Sequence, residues 1–543
     1  MRPLPALLPF LILTACGPPP PVSFPAEFQT GLAGSALYVS DRQAAAGVLD
    51  LSGEGAIDIR PVPPLSIPPL ASLELEYGLR DSSGTAAGPE LSYADSGAAR
   101  GSFVLPLAGW NPEGRDSGPI RYAVPLLGDS LESLRIAPGE APASGSPVLE
   151  LKSLDIVPRW YGVERDGRGL RMSPFVFAIP QGIGIETPGE FAFPEGADLV
   201  IRSGGSVRWT AGGFLFERRS GGEDLVPSGF FSAASRVLVE GDDIESIRLV
   251  PARFRPFPQP IPLDPALILN YPPSSWRRGD YEVFRWDVFP SLLIFDTADY
   301  AAQDRLLKRL AFFVEKAGYQ GRLMEDEEIA GQHGWNAHDY RAQDLARFFE
   351  AVRLAEFPLL PEERELEALL FDSGIMLKDG DRIVPGEGGL ISISRESPSY
   401  LRSLFMAHEG FHGIFFIDEE FREYSRGRWE NFPPAGRRFI LSYFDYQHYD
   451  TANEYLVINE FMAHILQQPV SRAAGYFGET LASRIDASPW RRTVLPEKDE
   501  ESGSWPVLAE TFLAEAIAFD AYAARRWGLG AGRVHRISVR PEP

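Results

Sequence analysis

The chain is short of cysteine, histidine and positive charge. Cys16 is its only cysteine in 543 residues, so no disulfide can form within the chain and hydrophobic cores must hold it together. Lys and Arg total 52 against 75 Asp and Glu, a net charge of −23. That field repels phosphate backbones, which excludes nucleic acid as a partner. Beyond the N-terminus no stretch approaches the ~18 continuous apolar residues of a membrane span. What is abundant is turn chemistry, with 52 Gly and 48 Pro, the composition of many short strands joined by turns. Hydrophobic residues at 44% and charged residues at 23% describe folded globular material, and the length implies about two to four units.

The N-terminus carries Arg2, an apolar run from Leu4 to Ile12, then Leu13-Thr14-Ala15-Cys16, the pattern of a secretory signal. Leu-Thr-Ala-Cys resembles the lipobox of bacterial lipoproteins. The resemblance implies a signal peptide at 1–15 and a lipidated Cys16. It implies an exported chain anchored to a bacterial membrane, on its periplasmic or cell-surface face. Residues 16–25, with Pro18 to Pro21 and Pro25, read as a stiff tether.

Alternating runs such as Leu73-Glu74-Leu75-Glu76-Tyr77 and Val148-Leu149-Glu150-Leu151 predict β-structure up to about residue 270. Gly128-Asp129-Ser130-Leu131-Glu132-Ser133-Leu134-Arg135-Ile136-Ala137-Pro138 returns as residues 241–251, with Gly, Asp, Glu, Ser, Arg and Pro in register. This suggests two related sandwiches, 26–158 and 159–270. They resemble jelly-roll modules of the carbohydrate-binding type, which implies a glycan ligand, with Trp110 or Trp160 as a stacking surface.

Composition shifts after Trp276, and residues 275–543 read as an α+β, mostly helical domain. A buried strand is expected at 291–296, followed by a helix capped by Thr297 or Asp299. Further helices are expected at about 339–355 and 362–371, with a strand at 390–394. A cap by Asn336 or Asp339 would start the second helix. The preceding loop holds His333 and His338, which offer a cleft wall or a second metal site.

The chemistry concentrates in His408-Glu409-Gly410-Phe411-His412. Spacing of four places both histidines on one helical face, where their imidazoles can share one Zn²⁺, with Glu409 able to act as general base on a water there. This segment resembles the zincin metallopeptidases. A metzincin would need glycine at Phe415, so the helix is expected to continue and carry Asp418 away from the metal. The later segment 453–466 offers Glu454 and Glu460, and Asn459-Glu460 is similar to the third-ligand helix of gluzincins. The resemblance implies one zinc per chain on His408, His412 and Glu460. It departs from that family at His464, where an Asp would orient a zinc histidine; His464 serves as an outer partner or packs beside Gln467. His448 and Tyr449 are the candidates for stabilising the oxyanion. Leu390–Ser394 lies where the resemblance expects a substrate-binding edge strand.

Two N-terminal all-β sandwiches and a zincin-like domain therefore suggest a membrane-tethered zinc metallopeptidase acting on a peptide or protein. The alternative is a surface lipoprotein that binds a glycan or a protein and whose helical domain is catalytically silent.

Overall fold

The computed structural model describes residues 29–542, apart from 31–35, 40–47, 51–54, 63, 81–87, 96–97, 107–118, 140–147, 188–191, 194–195, 231–235, 242, 253–254, 317 and 489–490. The signal peptide, Cys16, the tether and Trp110 lie outside the described residues. The chain divides into two units, Met1–Arg253 with Arg540–Pro543, and Phe254–Val539.

The first unit is built from strands. Its longest sheet runs through Val148–Pro158, Ala71–Arg80, Ile120–Pro125, Gly169–Met172, Tyr161–Asp166, Ile244–Pro251, Ala197–Ser203 and Gly222–Val226. Parallel pairing of Leu170 with Ile120 carries this sheet across the 158/159 boundary, so the two expected sandwiches share a sheet. The similar segments at 128–138 and 241–251 do not occupy equivalent places. Ser133–Ala137 pairs in a separate five-stranded sheet, whereas Ile244–Pro251 is interior to the long one. A short alternating run ending in proline suits either setting. Trp160 is 5% exposed and lies 4.1 Å beneath the Arg171 guanidinium, so it offers no sugar-stacking face.

The second unit begins before the expected residue 275. Strand β1 (Ile261–Leu263) pairs in parallel with β2 (Tyr281–Trp286), which assigns residues 261–270 to this unit. With β3 (Leu292–Thr297), β4 (His338–Arg341) and β5 (Gly389–Ser394), the sheet order is β1-β2-β3-β5-β4. Every residue of β3 and β5 is buried, as their near-continuous apolar sequences require. Helix α1 (Tyr300–Val314) is capped by Asp299, whose side chain accepts from the Ala302 N–H. The next helix spans Ala342–Ala355 rather than starting at Asp339. Residues 338–341 pair with β5 instead, and neither Asn336 nor Asp339 caps it: the N-cap is Arg341, without a side-chain bond. A core of Leu306, Leu310, Phe313, Phe348, Phe349, Leu366 and Leu370 packs on Val283, Leu293 and Phe295. The expected edge strand, β5, is interior; β4 is the edge.

Helix α2 (Ser399–Ile417) carries both motif histidines. It lies close on the sheet because two of its residues lack side chains. A β-carbon on Gly413 would stand 2.9 Å from Leu292 Cδ1, and one on Gly410 3.2 Å from Val534 Cγ1. Helices α3 (Pro434–Tyr446), α4 (Glu454–Leu466) and α5 (Pro506–Trp527) follow. Asn453 caps α4 by accepting from the Leu456 N–H, and every residue from Val457 to Leu466 is buried. Replacing Gly413 by Val forces three carbons against Leu292 and should cost about 1–3 kcal/mol. The expected outcome is a lower Tm by calorimetry; an unchanged Tm would mean that the close approach of α2 to the sheet is not constrained there.

Candidate metal centre

Two helices bring the ligating groups together. From α2, His408 Nε2 and His412 Nε2 lie 3.1 Å apart, with the rings nearly perpendicular at 88°. From α4, Glu460 sets Oε2 3.6 Å from His408 Nε2 and Oε1 3.7 Å from His412 Nε2. His464, one turn after Glu460, brings Nε2 to 3.8 Å from Glu460 Oε2. His408, Glu460 and His464 form one group with ligand atoms within 4.8 Å of one another, and His408, Glu409 and His412 form a second. His412, Glu460 and His464 are all under 9% exposed.

Burial governs the protonation of these groups. It lowers His408 to about 4 and His464 well below the ordinary imidazole value, with His408 and His412 adding to the second shift. It raises Glu460 to about 7, against the pull of His412. Neutral imidazoles keep a lone pair for a metal, and a buried carboxylate gains most from a cation. Glu460 Oε2 is a buried oxygen with no hydrogen-bond partner among the described residues. These donors therefore fit a divalent metal ion.

Glu409 stands beside this cluster, buried and raised well above the usual carboxyl range by desolvation, then by Asp339, Glu460 and Glu315. Strand alternation explains how Asp339 gets there: on β4, His338 and Tyr340 are buried, while Asp339 and Arg341 line the cleft. The cleft has a volume of about 1190 Å³ and is also lined by Glu315, Trp335, Phe405, His448, Tyr449 and Asn459.

The other sequence-derived residues fall as follows. Tyr449 lies in the cleft, and burial, then the charge of Glu460, holds its phenol well above its ordinary value. His448 is an exposed cleft residue held at φ 68°. Glu454 is exposed at the start of α4. Asp418 caps both the end of α2 and the start of the next helix, where it accepts from the Phe421 N–H and pairs with Arg526. Neither Glu454 nor Asp418 joins a metal-binding group. His333 contacts Asp304 and Asn336, and His338 contacts the Tyr340 hydroxyl; among the described residues they belong to no metal-binding group. Sequence reasoning missed Asp339 and Glu315. In the sequence Asp339 reads as a helix cap, and Glu315 follows the last residue of α1 with no motif around it.

No protein-family model matches the chain, and no curated protein matches it.

A metal ion must displace the proton that Glu460 holds below about pH 7, so affinity should weaken up to tenfold per pH unit below that value. His408, at about 4, adds nothing until much lower pH. Calorimetric titration with Zn²⁺ at pH 7.5, 6.5 and 5.5 checks this, and equal affinities would show that Glu460 is not a ligand.

Proposed function

We propose that this chain is a zinc-dependent metallopeptidase, gluzincin-like in its ligand set and tethered to a bacterial membrane through a lipid on Cys16. The observation that carries the reading is the convergence of His408, His412 and Glu460 from two helices beside the carboxyl of Glu409. The two Nε2 atoms are 3.1 Å apart, and the nearest Glu460 oxygen is Oε2 at 3.6 Å for His408 and Oε1 at 3.7 Å for His412, separations close to the roughly 3.3–3.4 Å between ligand atoms around a tetrahedral zinc. Three protein ligands leave a fourth position open, as a catalytic site requires. When bound, zinc polarises the carbonyl under attack and acidifies water.

The chain's own groups supply the rest. The Glu409 carboxylate takes a proton from the attacking water as its oxygen bonds to the peptide carbon. The C–N bond then breaks, and the same proton passes to the departing amine. The Tyr449 hydroxyl, protonated because burial raises it, donates toward the negative charge that develops on the carbonyl oxygen. Edge strand β4 presents Asp339 and Arg341 to the cleft and supplies the backbone on which an extended peptide would add. Among the described residues no helix is long and apolar enough to cross a membrane, which leaves the Cys16 lipid as the anchor in this reading.

Metal-dependent cleavage of a mixed peptide library, abolished by chelation, tests the activity. Glu409→Gln should keep zinc while lowering hydrolysis by about 10²–10⁴-fold. Full turnover in that variant would remove Glu409 from the mechanism, and absence of cleavage by the zinc-loaded wild type would favour a binding role.

A further inference from the structure

Two side chains of the edge strand β4 face the cleft and carry opposite charges. Asp339 and Arg341 are two residues apart and both line the cleft, so they project from one face about 6.8 Å apart along the strand. Their levels relative to the metal centre follow from register. Asp339 pairs with Ile391 of β5, and Arg341 pairs with Gly389. Helix α2 crosses these two levels in turn: a β-carbon on Gly413 would stand 3.7 Å from Ile391 Cγ2, and one on Gly389 would stand 3.2 Å from Phe416 Cδ2. Asp339 is therefore level with the part of α2 that carries Glu409 and His412, and Arg341 is level with the turn beyond it. Helix α4 repeats the offset. The Arg341 guanidinium lies 4.5 Å from the Tyr455 ring centroid, and Tyr455 precedes Glu460 by five residues, about 7.5 Å of helix.

Arg341 is held there with part of its fork unused. It donates to Asp344 through Nε at 2.8 Å and lies over Tyr455, yet its side chain is 33% exposed. Arg347 pairs with the same Asp344 at 3.5 Å. One carboxylate between two guanidiniums leaves this end of the cleft positive, in a chain whose net charge is −23. The Nε bond and the ring beneath fix the guanidinium plane, so its terminal N–H groups are pre-organised for a carboxylate. The Asp339 level is the reverse, because Glu315 and Glu409 add their carboxyls to that part of the cleft. An extended peptide paired with β4 sets its side chains directly opposite those of the strand and on the same face. The side chain opposite Asp339 meets carboxyls, and the one two residues away meets Arg341.

The geometry points to Arg341 as a specificity-determining residue, selecting peptides that carry an Asp or Glu side chain two residues from the one facing Asp339. The selection is positional, since the same acidic side chain is attracted at one level and repelled at the other. The inference rests on the peptidase reading above and deepens it by naming the substrate class.

The probes are short peptides of Ala and Leu, acetylated and amidated to remove end charges, with Glu, Gln or Lys at one scanned position. Mass spectrometry of the products registers that position against the bond cleaved. With the zinc-loaded chain, kcat/KM should favour Glu over Lys about 5–30-fold at the position that meets Arg341. Arg341→Gln should abolish that ratio and Arg341→Glu should reverse it, whereas Arg347→Gln should keep it, with circular dichroism confirming the fold of each variant. Calorimetric titration of the same peptides into zinc-loaded Glu409→Gln reads the preference as a ratio of Kd values without cleavage. Cleavage with no acidic preference, or with one that persists in a folded Arg341→Gln, overturns the proposal and leaves the peptidase reading standing. Binding with an Arg341-dependent acidic preference but no cleavage by the wild type overturns the peptidase reading alone. Peptides neither bound nor cleaved overturn both.

Discussion

Like groups are forced together at the contact between α2 and α4. His408 and His412 aim nitrogens at each other across 3.1 Å, above a carboxylate that is 6% exposed. The two ring nitrogens share one hydrogen bond, while the buried carboxylate beside them forfeits several kcal/mol of hydration without a cation. The surrounding structure holds it there. Gly410 and Gly413 allow α2 to sink onto the sheet, and the wholly buried second half of α4 fixes Glu460 from the other side. A helix buried all round cannot rotate to turn Glu460 toward water without exposing Phe461, Met462 and Leu466, each completely buried. Packing therefore imposes the electrostatic conflict that a metal ion would resolve.

The proximity of the two motif histidines was legible in the sequence because helical spacing is local. His408 and His412 face one way by periodicity alone. Phe415 in place of a glycine implied that α2 would continue past His412, and the structure ends it at Ile417 with Asp418 as a cap. Glu454 is exposed in the first turn of α4 and Glu460 is buried in its second half. Resemblance to a known helix supplied the choice between them, and burial gives its physical reason.

What the sequence concealed depends on contacts between distant segments. Residues 338–341 carry helix-compatible side chains, but pairing with β5 makes them a strand and turns Asp339 toward Glu409. The same pairing moves the sheet edge from β5 to β4. In the first unit, alternation located strands well, yet it could not say which sheet each would join. Residues 133–137 and 244–251 share a pattern and sit in different sheets. Pattern specifies which face of a strand is buried; partner choice is set by the rest of the fold.

The company that Glu409 keeps bears on its strength as a base. Asp339, Glu460 and Glu315 all raise it after burial does, so Glu409 holds its proton more tightly than an exposed glutamate would. A metal ion on His408, His412 and Glu460 pulls the other way, offsetting the charge of Glu460 and favouring ionisation. Asp339 and Glu315 lie outside the ligand set, so their influence is not cancelled by a direct bond to the cation. In the proposed mechanism their carboxyls would oppose the ion's acidifying field at the group that accepts a proton and then releases it.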